Sequence, residues 1–179
     1  MKKRALILFL TIFSACKQEN EIKNPNGIWT ESELVELNAI VSEFDRILTT
    51  NYKTSSVKKA YLDYSNYVIQ NNITPILNGM EELSSELKKF TVFDKIWWKY
   101  SDSTNEYFTL IGASNYQKYL NEIGKTSTII NGYAESIDAA NDINPSVISG
   151  FAYNIENIDL TDKNNRLIFA IHCLTLINN

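Results

Sequence analysis

His172 and Cys173, an imidazole beside a thiol, are the side chains best suited to proton transfer or nucleophilic attack. Adjacent residues of a helix point about 100° apart, so the two do not face each other as a base and its nucleophile. His172 is the only histidine, and this removes every site that needs two imidazoles. A core imidazole and a small buried thiol are the roles expected of the pair. Asp159-Leu160-Thr161-Asp162-Lys163-Asn164 alternates oxygen-bearing side chains, the opening of a calcium loop. Such a loop requires glycine at its sixth position and a bidentate acid at its twelfth, where Asn164 and Ala170 stand. The segment therefore reads as a helix cap. There is no Gly-x-x-x-x-Gly-Lys-Ser/Thr phosphate loop and no Gly-x-Ser-x-Gly elbow. The acidic pairs Glu31/Glu33 and Glu81/Glu82 could hydrolyse a glycoside only if two carboxylates met across a cleft. In the first turn of a helix they are the ordinary complement to its dipole. No catalytic residue, metal ligand or cofactor is assigned.

The other chemistry-bearing group is aromatic: Trp97, Trp98, Tyr100, Tyr107 and Phe108 lie within twelve residues. Ile96–Tyr100 and Glu106–Ile111 are rich in aromatic and β-branched residues, and Ser101–Asn105 between them is turn chemistry, so a β-hairpin is expected. A rival reading continues a helix through Phe93, Ile96, Trp97 and Tyr100. In the hairpin, side chains alternate, so Ile96, Trp98 and Tyr100 share one face and Trp97 takes the other. Either register puts apolar residues on both faces. Trp97, Trp98, Tyr100 and Tyr107 are the expected contact residues for a protein or glycan partner, since an exposed indole or phenol can stack on a sugar or anchor an interface.

The elements that must carry these residues are helical. Thr30-Glu31-Ser32-Glu33 is a capping box, with Trp29 and Leu34 at the spacing of a hydrophobic staple. Leu34, Leu37, Val41, Phe44 and Leu48 then form an amphipathic stripe ending near Asn51. A second helix follows Thr54-Ser55-Ser56, with Val57, Ala60, Tyr61, Tyr64 and Val68 inward. A third spans about Gly79 to Phe90. Beyond the hairpin, Ser114 caps a helix that carries Tyr116, Tyr119, Leu120 and Ile123 and stops at Gly124. The next has Ile130, Tyr133, Ile137 and Ala140 on one side. Asn144-Pro145 opens another, leading into Phe151 and Ala152. Thr161-Asp162 opens the last, which is apolar on nearly every face from Leu167 to Ile177 and should be central. The expected fold is a mainly α, single-domain helical bundle with a small β-hairpin insertion over residues 29–179.

Composition agrees with a folded domain of this size. The chain has 179 residues, 44% hydrophobic and 21% charged. Seventeen basic residues against 21 acidic ones provide no global positive charge for nucleic acid.

Lys2, Lys3 and Arg4 precede an apolar run over Ala5–Phe13, then come small Ser14 and Ala15, and Cys16. This is the layout of a secretory signal, and the run is far short of the roughly 20 residues that span a bilayer. Phe13-Ser14-Ala15-Cys16 resembles the lipobox of bacterial lipoproteins, with Phe13 where that family usually has an aliphatic residue. The resemblance implies that residues 1–15 are removed, that Cys16 carries the acyl chains, and that the membrane is a partner through this lipid anchor. Removing Lys2, Lys3 and Arg4 would leave 14 basic residues against 21 acidic ones, a net charge of −7, on 164 residues. Residues 16–28 then read as the lipidated cysteine and a flexible polar tether closed by Asn24-Pro25-Asn26-Gly27. Lys17 beside the cysteine resembles outer-membrane sorting in Gram-negative bacteria, and Lys17-Gln18-Glu19-Asn20-Glu21 resembles the surface-export signal of Bacteroidota lipoproteins. The functional expectation is an envelope lipoprotein, which this resemblance assigns to the outer membrane, that binds rather than catalyses. An immunity or inhibitor lipoprotein acting on a toxin or hydrolase is the second expectation, and a glycan-directed hydrolase the third.

Overall fold

In the computed structural model, which describes residues 21–103, 106–140, 143 and 150–178, the first helix starts where the capping box places it. Thr30 Oγ1 accepts from the Glu33 amide at 3.3 Å, and Glu33 Oε2 accepts from the Thr30 amide at 2.9 Å. Helix α1 then runs Glu31–Asn51 and buries Leu37, Ile40, Val41, Phe44, Ile47 and Leu48 on one stripe. Helix α2, Val57–Asn71, is capped by the Ser56 hydroxyl and ends at Asn72, which adopts the left-handed conformation. Helix α3 covers Met80–Leu87 only, with Phe90 half-buried in the turn beyond it. A one-turn helix α4, Phe93–Ile96, precedes strands β1, Trp97–Ser101, and β2, Glu106–Leu110. Helices α5, Asn115–Gly124, and α6, Thr128–Ala140, pack on each other as a tight corner. Residues 150–153 form a further helical turn, a 3₁₀ turn covers Ile155–Asn157, and helix α7 is Lys163–Ile177. The class is the expected one, mainly α with one antiparallel hairpin.

Helix α7 is the centre. Every residue from Asn164 to Thr175 is buried, matching its unpatterned apolar sequence. Phe169 meets the rings of Phe44, Tyr61, Tyr64 and Phe151, joining α1, α2 and the 150–153 turn around it. Its first turn is held by charge. Arg166 Nε lies 3.2 Å from Asp45 Oδ2 of α1, and its Nη1 donates to the carbonyls of Leu160 and Thr161. The Tyr61 hydroxyl donates to Asp45 Oδ1 at 2.7 Å. Burial raises the Asp45 pKa even though both donors favour its ionised form, and the cluster ties α1, α2 and α7 together.

Several expectations change. Helix α5 does stop at Gly124, but the glycine is needed for another reason: a Cβ there would lie 2.9 Å from Asn131 Cα, so close approach of α6 requires it. Ala140 is exposed, and Ala134 takes an inward position. Residues 22–28 are not a tether. Ile22 is buried, the Lys23 amide donates to Asn164 Oδ1 at 2.8 Å, and the Lys23 ammonium pairs with Asp162 at 3.1 Å. Asn24 brackets Trp29 through both backbone groups, so the chain is docked before α1 begins. The expected helix start at Asn144-Pro145, and Cys16 with the segment before it, lie outside the described residues. Among the described residues no helix is long and apolar enough to cross a membrane.

Candidate functional site

The hairpin settles the rivalry between helix and strand by using both. Helix α4 continues through Ile96, and the backbone turns to extended geometry at Trp97. Ile96 therefore belongs to the helix, is fully buried, and does not share a strand face with Trp98 and Tyr100. The register pairs Trp97 with Leu110, Trp98 with Thr109, Lys99 with Phe108 and Tyr100 with Tyr107. One face thus carries Trp97, Phe108 and Leu110, all buried. Phe93 packs edge-on against Phe108 at 5.0 Å and tilts against Trp97 at 5.5 Å. The Trp97 indole N–H donates to Thr175 Oγ1 at 2.8 Å, and the Phe108 amide donates to the Asn178 carbonyl at 2.8 Å. Both contacts fix the hairpin to the last turn of α7 and its cap.

The opposite face carries Trp98, Tyr100, Tyr107 and Thr109. Trp98 is 64% exposed and Tyr100 44%, against 1% for Trp97. Tyr100 and Tyr107 stack across the strands with centroids 5.1 Å apart and planes 18° apart. Such cross-strand aromatic pairs stiffen a hairpin by up to about 1 kcal/mol. Tyr107 also donates from its hydroxyl to Asp102 Oδ2 at 2.9 Å. The neighbouring charges lie on the other side and are mutually engaged: Glu106 pairs with Lys88 and with Lys99. Hydrogen bonds from these lysines hold the Glu106 carboxyl below the usual range. The outward face is an aromatic ridge with the Asp102 carboxylate at its turn end. Of the four contact residues expected from sequence, Trp98, Tyr100 and Tyr107 are brought together on it. Trp97 is not among them. It is a core residue, because its indole reaches the one hydroxyl that α7 offers there.

His172 and Cys173 are both in the core, as expected. Burial lowers the His172 pKa to about 3, so the imidazole is neutral, and its Nδ1 lies 3.2 Å from the Tyr133 hydroxyl. Burial pushes the Cys173 thiol well above its ordinary range, the reverse of an activated nucleophile. Asp159 and Asp162 serve as turn and cap acceptors for Thr161 and Asn164. Glu33 closes the capping box and pairs with Lys95; burial opposes its ionisation, but Lys95 and Thr30 outweigh that and lower its pKa.

Sequence reasoning missed one concave feature. A cleft of about 240 Å³ opens between α6 and the 150–153 turn, with the stacked rings of Tyr133 and Phe151 in its wall. Among the described residues its lining contains no carboxylate, and so none of them supplies the acid pair a glycosidase needs. The signal available in the sequence was Gly132, an isolated glycine inside an otherwise regular helical pattern. Compared with known proteins, the chain matches no family model, no curated protein and no solved structure.

Two outcomes follow from these environments. Trp97→Ala is expected to lose about 3–5 kcal/mol of unfolding free energy, since it opens a cavity and removes the donor to Thr175 Oγ1. Trp98→Ala should stay within about 0.5 kcal/mol of the parent. Urea denaturation of both variants checks this, and equal losses would contradict the assigned register. The second outcome concerns pH. His172 binds its proton at about 3 in the fold and near 6.5 when unfolded, so stability rises with pH through that window and is fully present above it. Lowering the pH from about 7 to about 5 should cost roughly 2 kcal/mol through this one group. His172→Phe should abolish that slope, and a slope equal to the parent's would refute a buried neutral imidazole.

Proposed function

We propose that this chain is a lipid-anchored envelope lipoprotein whose folded body is a binding module for a protein partner, with the outer hairpin face as its contact surface. The observation that carries the reading is the division of the tryptophan pair: Trp97 builds the core while Trp98, 64% exposed, stands beside the stacked Tyr100 and Tyr107. Buried aromatics need no partner, but three outward rings on one hairpin face are the residue types that anchor interfaces.

The position of the ridge supports the same reading. The chain arrives from Cys16 beside Asn164, in the first turn of α7, whereas the hairpin is fixed at Thr175 and Asn178. A 15-residue helix is about 22 Å long, so the anchored end and the aromatic ridge sit at opposite ends of the central element. Five residues, 17–21, lie between Cys16 and buried Ile22, and the span reaches about 20 Å when extended. A lipid at Cys16 would hold the first end near the bilayer and leave the ridge facing away from it. The lipobox resemblance and Lys17 favour the outer membrane.

Photo-crosslinking tests both halves. The full chain, carrying a photoreactive phenylalanine analogue at position 109 between the aromatic residues, is irradiated in its native membranes. One discrete adduct should form, and Trp98→Ala with Tyr100→Ala should reduce it by about thirtyfold or more at unchanged stability. Cys16 should be recovered acylated at the mature N-terminus. An adduct indifferent to the aromatic substitutions would overturn the contact surface, and an unmodified Cys16 would overturn the anchor.

A further inference from the structure

We infer that the open edge of β1 receives an extended segment of the protein partner as a third strand, one whose apolar side chains alternate with acidic ones. This rests on the hairpin reading above and adds how the partner is held.

Strand β1 keeps hydrogen-bonding groups on its outer side. The Phe108 amide donates to the Asn178 carbonyl and not to Lys99, its register partner, so Lys99 and Phe108 form a pair without ladder bonds. The bond from the Ile111 amide to the Ile96 carbonyl fixes the same alternation at the other end of the strands. Ladder bonds therefore join Trp98 to Thr109 and Tyr100 to Tyr107, and the N–H and C=O groups of Lys99 and Ser101 point away from β2. Asn178 covers the β2 edge at Phe108. The β1 edge has no such cover: among the described residues nothing pairs with the main chain of Lys99 or Ser101. Trp98, Lys99, Tyr100 and Ser101 are all exposed. Backbone groups in this arrangement are a template for a further strand.

The side chains on the two faces define the occupant. A strand laid on this edge places alternate residues beside Trp98 and Tyr100 on the ridge face, where β-branched or aromatic groups pair well with aromatic rings. Its other residues fall beside Lys99. Lys88 and Lys99 both pair with Glu106, and among the described residues neither ammonium meets another carboxylate, so one positive charge of the group is left over. An acidic side chain there is favoured and a basic one opposed. The same charge argues against a second copy of this chain, because two β1 strands in full antiparallel overlap set Lys99 opposite Lys99. Main-chain bonds for affinity, with alternate side chains for selectivity, are the general mode by which extended peptides join a sheet edge.

The test uses the full chain in detergent, isotope-labelled for amide NMR and titrated to millimolar levels with a capped peptide of alternating valine and glutamate. Saturable shifts of the Lys99 and Ser101 amides are expected, with slowed hydrogen exchange at both. A capped peptide of alternating valine and lysine should bind about fivefold or more weakly. Lys99→Pro removes the open-edge donor and leaves every ladder bond, since proline is tolerated where its nitrogen faces solvent. It should weaken the acidic peptide about fivefold or more. Should Lys99→Pro fail to fold, Lys99→Glu keeps the edge and should reverse the preference between the two peptides. Strand addition is overturned if the Lys99 and Ser101 amides stay unprotected, if the basic peptide binds as well as the acidic one, or if the chain instead dimerises through β1. Binding that survives Lys99→Pro but is lost in Trp98→Ala with Tyr100→Ala would also overturn it and leave the ridge standing. Binding lost in Lys99→Pro and kept in the aromatic variant would overturn the ridge instead.

Discussion

Helix α7 has no solvent side over twelve consecutive residues, Asn164 to Thr175, and the remainder of the fold is arranged to meet that constraint. Its apolar side chains accept any hydrophobic neighbour, but its polar ones do not. A buried polar group without a partner costs about 1–3 kcal/mol, so each fixes what must lie beside it. Asn164 receives the Lys23 amide and the Tyr119 hydroxyl. Arg166 meets Asp45 of α1, His172 meets Tyr133 of α6, and Thr175 receives the Trp97 indole. Nonpolar packing supplies most of the stability, while the contacts of these four polar residues set which segment sits where along the helix.

The same contacts explain how the molecule presents its surfaces. The Thr175 contact determines which tryptophan faces inward, and strand alternation then delivers Trp98, Tyr100 and Tyr107 outward together. The Asn164 contact brings the N-terminal chain to the other end of α7. The His172 contact turns the Tyr133 hydroxyl into the core and leaves its ring against Phe151 in the wall of the cleft. One helix therefore sets where the N-terminal chain, the ridge and the cleft lie.

What was legible in the sequence was local. The capping box at Thr30 and Glu33, the Ser56, Ser114 and Asp162 caps and the apolar stripe of α1 are decided within a few residues, and they appear where expected. The hairpin was readable as a pattern but not in its register, because Trp97 and Trp98 are equally apolar and the deciding hydroxyl is 78 residues away. Residues 22–28 read as a polar tether because Lys23 and Asn24 are hydrophilic; the partners of Lys23, Asn164 and Asp162, lie about 140 residues on. The cleft was invisible for the opposite reason. Nothing in a run of residues distinguishes Gly132, where space is left open, from Gly124, where backbone approaches closely; only the neighbours do.

Native-state hydrogen exchange of the α7 amides tests the organising role of this helix most directly. If the fold depends on it as described, the amides from Ile168 to Leu174 should exchange only through global unfolding, with opening free energies equal to the value from denaturant titration. Exchange of those amides through a smaller opening, while α1 or α2 stays protected, would show that the helices hold together without α7 and would contradict the account.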